Sequence, residues 1–429
     1  MAVSMVATMS ACGKSGTSSS ASPEASTTPS ASTAPSASAS AAPAAELTPE
    51  SGATLKVWES KEERPFVEAI AKEFTDKYGV PVTVEEVGAA DQVGKLTTDG
   101  PAGLGADVVV FPHDNLGKAV AAGLVLPNED FKDVSTKENS ELAVKATTFD
   151  GTLYGYPRSV ETYALFYNKD LVKTPPKTYD DVIAFAKTYN DTKKDKYAYM
   201  WEVDNFYFAY TFLATPGGYV FGNKGQDKND IGLNNDASVA GAKVFASLKK
   251  EVLPLKSGDV TYDIKKGLFT SGKLAMDVNG PWTIGEYKKA GINFGVTTLP
   301  TISGKPSVSF SGVKAWYVNS FTKYPNAAKL FSRFASTKEA QLKDFEMTGA
   351  LPANTEAQAD PKVANDEISK GFVEQFKNSY PMPSIPEMGN VWDPAKTALG
   401  SIWNDGKDPK AALDDAVASI KESISSAAK

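Results

Sequence analysis

The chain has 429 residues, more than one compact core usually holds and about right for two lobes plus extras. Hydrophobic residues make up 41% and charged residues 23%, with a formal net charge of −7, so most of the chain is globular and no basic stripe offers itself to nucleic acid. One His and one Cys exclude an internal disulfide and leave too few ligands for a zinc site, and no apolar run reaches the ~18 residues of a membrane span.

Residues Ala2 to Ala11 are small or apolar, and Cys12 follows at once. From Ser15 to Ala45 the chain is almost wholly Ser, Ala, Thr and Pro, with Glu24 the only charge. Such a stretch buries too little apolar area to offset its ordering entropy, so 13–50 reads as a disordered tether. An apolar segment, a Cys and a tether in that order resemble a bacterial lipoprotein signal, with Met9-Ser10-Ala11-Cys12 as the lipobox. Met9 stands where Leu is commoner, and no basic segment precedes it. The resemblance implies a signal segment over 1–12 and a lipid anchor on Cys12, with the protein outside the cytoplasmic membrane of a Gram-positive bacterium. Two acyl chains suffice for stable anchoring.

From Thr54 strands and helices alternate. Thr54–Trp58 reads as a strand, and Pro65 suits the first turn of a helix whose stripe is Phe66, Val67, Ile70, Ala71 and Phe74. Gly79 ends it, and Val80–Val84 and Asp107–Phe111 read as further strands. The alternation predicts an α/β fold, a parallel sheet covered by helices on both faces. Ligands of such sheets sit beyond the carboxyl ends of the strands, where Trp58, Phe111 and the residues after them lie. Gly267-Leu-Phe-Thr-Ser-Gly272-Lys273 nearly spells a phosphate-binding loop, but Leu274 replaces the required Ser or Thr, so it reads as a helix end leading into a strand. That strand, Lys273–Val278, stops at Asn279-Gly280-Pro281, where Gly permits positive φ and Pro removes a donor, and Trp282 follows. The last helix has Asp408 as cap, Pro409 at its start, and Leu413, Val417, Ile420 and Ile424 on one face.

Catalytic chemistry is thin. His113 is the only possible triad histidine, and there is no G-x-S-x-G elbow. With 52 Asp and Glu, paired carboxylates for a secreted glycosidase remain open by counting alone. Nothing calls for a metal or a cofactor.

Several blocks, taken in order, resemble the maltose/maltodextrin-binding proteins of ABC importers. They are Leu55-Lys-Val-Trp58, Gly105–Asp114, Asp150–Pro157, Val160-Glu161, Leu165–Leu171, Pro175–Thr178, Gly217-Gly-Tyr219, Asn279-Gly-Pro-Trp282 and Met382–Met388. The likeness runs from about Thr54 to Ser425 and implies a two-lobed periplasmic-binding-protein-like fold (type II) with sugar in the cleft between hinged lobes. One lobe would hold 53–159 and 314–360, the other 160–313 and 361–429. The implied protein is a monomeric receptor that makes no bonds and hands sugar to membrane permease subunits.

The resemblance also implies a site. Trp282, Trp392 and Tyr207 align with aromatics that stack on sugar rings, and Phe111 stands where a Trp is usual. Each could instead be a core aromatic. Asp114 and Glu161 align with carboxylates that bind hydroxyls, although a helix cap and a surface ion pair are their plainer roles. His113 matches a residue better read as structural. Asn115 replaces Arg, Asn205 replaces a carboxylate, and Lys396 stands for a basic residue after the second Trp. Lys61 and Glu62 fit the loop after Trp58, and Tyr262 and Met382 complete the expected lining. A receptor for a different oligosaccharide is the alternative within the same fold.

Overall fold

The structure, a computed structural model, describes residues 47–427. The signal segment, Cys12 and the tether up to residue 46 lie outside the described residues. The expected opening is present: strand Leu55–Glu59, helix Arg64–Tyr78, and strands Val82–Glu86 and Val108–Pro112. The helix buries Phe66, Val67, Ile70, Ala71 and Phe74 and ends at Gly79, whose φ of 69° suits a residue without Cβ. The second strand begins at Val82, later than expected, because Pro81 has no N–H to donate to the ladder.

The larger sheet runs in the order Leu351–Pro352, Tyr156–Thr162, Ser309–Val318, Val108–Pro112, Leu55–Glu59, Val82–Glu86, with Ser379–Pro381 also on Ser309–Val318. It is not the parallel sheet expected. Leu55–Glu59 lies parallel to both neighbours, but Ser309–Val318 lies antiparallel to Val108–Pro112 and Tyr156–Thr162. After Thr162 the chain enters a second sheet and returns only at Ser309, running the opposite way. That second sheet has the order Phe294–Thr297, Ala164–Asn168, Leu274–Asn279, Tyr197–Met200. Tyr156–Thr162 and Ser309–Val318 both run through the lobe boundaries expected at 159/160 and 313/314.

Strand alternation decides which side chains reach the site. Val108, Val110, Trp316 and Val318 face Leu55, Val57 and Phe66 on one side of the larger sheet. Val109, Phe111, Ala315 and Tyr317 face Trp58, Val93, Leu96 and Leu116 on the other. Both faces are covered, so every residue of Ser309–Val318 is buried. The smaller sheet shares a core with the closing helix Pro409–Ala427. There the Asp408 carboxylate accepts the Ala411 N–H at 3.0 Å, and Leu413, Val417 and Ile420 are buried as their spacing predicts.

Candidate functional site

Trp282 stands in a short turn, Pro281–Thr283, directly after the strand Leu274–Asn279. The strand end is held by a buried polar knot. Lys265 Nζ lies 2.8 Å from Asp277, and the Asp277 carboxylate also accepts from Tyr287 and from the Asn279 amide. The Asn279 side chain then accepts the Gly280 N–H at 3.0 Å. Gly280 is needed for space rather than for unusual backbone: its φ is −102°, which corrects the positive-φ expectation. A Cβ there would fall within the Trp282 ring, which folds back over the glycine.

Trp282 is half-buried, and its ring lies 6.4 Å from that of Tyr207, tilted by 46°. Tyr207 lies in the first turn of helix Phe206–Ala214 and stacks on Phe310 at 6.2 Å. Trp392 opens helix Trp392–Asp405 and packs edge-on against Phe206 and Phe310, at 5.9 and 6.1 Å. The three expected aromatics thus form one continuous group around Phe310, each keeping some exposed surface. The Tyr207 and Tyr262 hydroxyls are buried and have no hydrogen-bond partner among the described residues.

Asp114 and Glu161 are each 6% exposed. Asp114 lies in the turn His113–Asn115 and caps no helix; Asn115 donates to it at 3.1 Å. Burial, with the nearby Glu161 charge adding to it, raises the Asp114 carboxyl to about 7, although its own backbone, Asn115 and the Trp392 indole stabilise the ionised form. Glu161 is no surface ion pair. It is buried against Lys314 at 3.7 Å, and burial raises its carboxyl while Lys314 opposes the rise. Gly312 gives these groups room, since a Cβ there would sit 3.1 Å from the Met382 methyl and 3.2 Å from Glu161.

His113 is structural. Its Nδ1 accepts the Val313 N–H at 3.2 Å, which leaves Nε2 to donate to the Met382 carbonyl at 3.0 Å. Burial lowers its pKa to about 4, so the ring is neutral and ties three segments together under Asp114. Met382 itself is buried, with its methyl beside Gly312.

Other expected residues have different surroundings. Phe111 is the clear correction. It is 0% exposed and stacks on Tyr317 at 3.9 Å, because its place in the strand turns it toward the helix-covered face. Trp58 is likewise core, its indole donating to Glu85 at 3.1 Å. Asn205 caps helix Phe206–Ala214 by accepting the Tyr207 N–H, so its oxygen positions Tyr207. Glu62 pairs with Lys266 at 3.3 Å, and Lys266 also reaches Glu286 at 2.8 Å and lies over the Tyr262 ring. Lys61 is exposed, as is Lys396, which shares a helix face with Trp392 four residues earlier.

A charge cluster beneath the site escaped the sequence reading. Arg158 lies between Glu59 and Asp344, its Nε 2.7 Å from the latter, and between the Phe66 and Trp316 rings. Lys314 Nζ lies 2.8 Å from Glu63, and Lys314 and Arg158 together overcome burial to hold that carboxyl at about 2. Removing one member of such a buried pair costs about 3–5 kcal/mol. The available signal was a lone lysine in the otherwise apolar run Val313–Val318.

The family model described as bacterial extracellular solute-binding protein matches residues 69–370. The galactooligosaccharide-binding protein of Bacillus subtilis (strain 168) is 35% identical over 87% of this chain and 90% of its own length. A maltooligosaccharide ABC transporter solute-binding lipoprotein of Streptococcus pneumoniae (strain ATCC BAA-255 / R6) is also 35% identical, over 86% and 88%. The crystal structure of MalX from Streptococcus pneumoniae in complex with maltopentaose superposes with a TM-score of 0.80 at 34% identity, covering 86% of this chain and all of that one.

Proposed function

The chain belongs to the bacterial extracellular solute-binding proteins, and from that premise we propose that it captures maltodextrins and delivers them to the permease of an ABC importer. The observation that carries the reading is the aromatic group of Tyr207, Trp282 and Trp392 beside the two buried carboxylates, Asp114 and Glu161. Flat rings suit the apolar C–H faces of a glucose chain, and carboxylates accept hydrogen bonds from its hydroxyls. Binding and release require no bond to be made, in keeping with a receptor rather than a glycosidase.

Two lobes, 53–159 with 314–360 and 160–313 with 361–429, closing on the sugar, complete the proposal. Support comes from the chain's division between two sheets, with site residues drawn from both. Lipidation of Cys12 would hold the receptor at the outer face of the membrane; the lipobox order and the relative named a lipoprotein support it. A galactooligosaccharide receptor is the second reading, favoured by the equal identity of the Bacillus relative. Calorimetry with maltose, maltotriose, maltotetraose and a β-galactooligosaccharide separates them. Heat with the maltodextrins alone supports the first reading, heat with the galactoside alone supports the second, and heat with neither removes both.

A further inference from the structure

Lys314 lies on the floor beneath the site and 5% of it is exposed. It comes from the middle of strand Ser309–Val318, where its neighbours Val313 and Ala315 are apolar. Its ammonium is 2.8 Å from Glu63, 3.7 Å from Glu161 and 5.9 Å from the centre of the Trp282 ring. Those three partners come from the turn before helix Arg64–Tyr78, from strand Tyr156–Thr162, and from the turn beyond the second sheet. One buried cation therefore joins a carboxylate and an aromatic of the proposed sugar site.

We propose that Lys314 is a positioning residue for sugar binding, which holds the Glu161 carboxyl in place as a hydrogen-bond acceptor and the Trp282 ring beside it. The inference rests on the maltodextrin reading above. The surroundings leave Glu161 few other counterions. Glu63 adds negative charge to the Glu161 site, Glu59 acts on Lys314, and Asp114 and the Tyr207 hydroxyl feel the Glu161 charge. Arg158 also acts on Glu161, but its guanidinium is engaged by Glu59 and Asp344. Burial and the Glu63 charge raise the Glu161 carboxyl and Lys314 opposes that rise, so removing Lys314 should raise it further. A protonated carboxyl loses the stronger charge-assisted bonds to sugar hydroxyls.

The test compares wild type with Lys314→Met and with the double variant Glu63→Gln/Lys314→Met, which also removes the carboxylate nearest Lys314 and so leaves Glu161 as the carboxylate that has lost it. Maltotriose affinity is measured by calorimetry from pH 6 to pH 9. The expected result is affinity about tenfold weaker than wild type at pH 6, the scale of exchanging a charge-assisted for a neutral hydrogen bond. The ratio of the two dissociation constants should narrow as pH rises and favours the ionised form of Glu161 in both proteins. Lys314→Arg should restore most of the loss, and tryptophan emission should shift in the Met variants and not in the Arg variant. A merely structural lysine would lower the melting temperature and leave a ratio that does not change with pH; that result overturns the inference. If Lys314→Met does not fold, the double variant decides alone by the same ratio. Wild type that binds no maltotriose overturns the maltodextrin reading, and this inference with it, whereas normal wild-type binding with an unchanged ratio overturns the inference only.

Discussion

Truncating Trp282 to Ala separates a binding ring from a core ring. The indole is half-buried against Tyr207 and Lys314, so part of its surface already serves the fold. A Trp buries about 150–250 Å² when fully covered, and with at most about a third of Trp282 exposed this leaves no more than about 50–80 Å² for a sugar to cover. At ~25 cal/mol per Å² that is up to about 1–2 kcal/mol, or roughly 10- to 30-fold in the dissociation constant. The sugar-free protein should lose less than the roughly 3–5 kcal/mol of a full core truncation, so its melting temperature should fall by only a few degrees. Calorimetry with maltotriose and a thermal melt without sugar measure the two effects on one preparation. A large fall in melting temperature with unchanged affinity would refute the reasoning and make Trp282 a core residue.

Gly280→Ala should weaken maltotriose binding by at least about tenfold while the protein stays folded, since the added methyl displaces the Trp282 ring; a fluorescence titration reads it. Asp114 titrates at about 7 without sugar, and hydroxyls donate to its ionised form, so affinity should be level above pH 7 and weaken by up to ~10-fold per unit below it; Asp114→Asn should lose that slope. The same raised value means the folded chain keeps a proton that the unfolded chain sheds, so this group's contribution to stability falls as pH rises from about 4 to about 7. Asp114→Asn should therefore melt higher than wild type at pH 8, with the gain shrinking as pH falls toward 4. Small-angle scattering should show a smaller radius of gyration with saturating maltotriose than without it. Cys12→Ser in a Gram-positive host should abolish labelling by fatty acid and release the protein to the medium; equal labelling of both forms would end the anchor proposal.

Local rules carried much of the fold. The stripe Phe66–Phe74 and the Asp408 cap were readable because helix periodicity and capping depend on residues a few positions apart. Sheet direction was not readable, because the strand Ser309–Val318 pairs with segments some 150 to 200 residues earlier and its sense depends on where the chain returns. In the site, the resemblance picked out Trp282, Trp392, Tyr207, Asp114 and Glu161, which the structure brings into one group. It misjudged Phe111, whose orientation follows from strand register and not from its identity. The Lys314 cluster was hidden for another reason: a buried ion pair joins residues whose partners lie far apart in sequence, here Glu63 and Lys314.

The central claim is that the aromatic group and the two carboxylates together receive a maltodextrin. A crystal structure of the chain with maltotriose tests it most directly. Glucose rings should lie against Trp282, Trp392 and Tyr207, with sugar hydroxyls donating to Asp114 and Glu161. Sugar bound elsewhere on the chain, with those rings and carboxylates untouched, would contradict it.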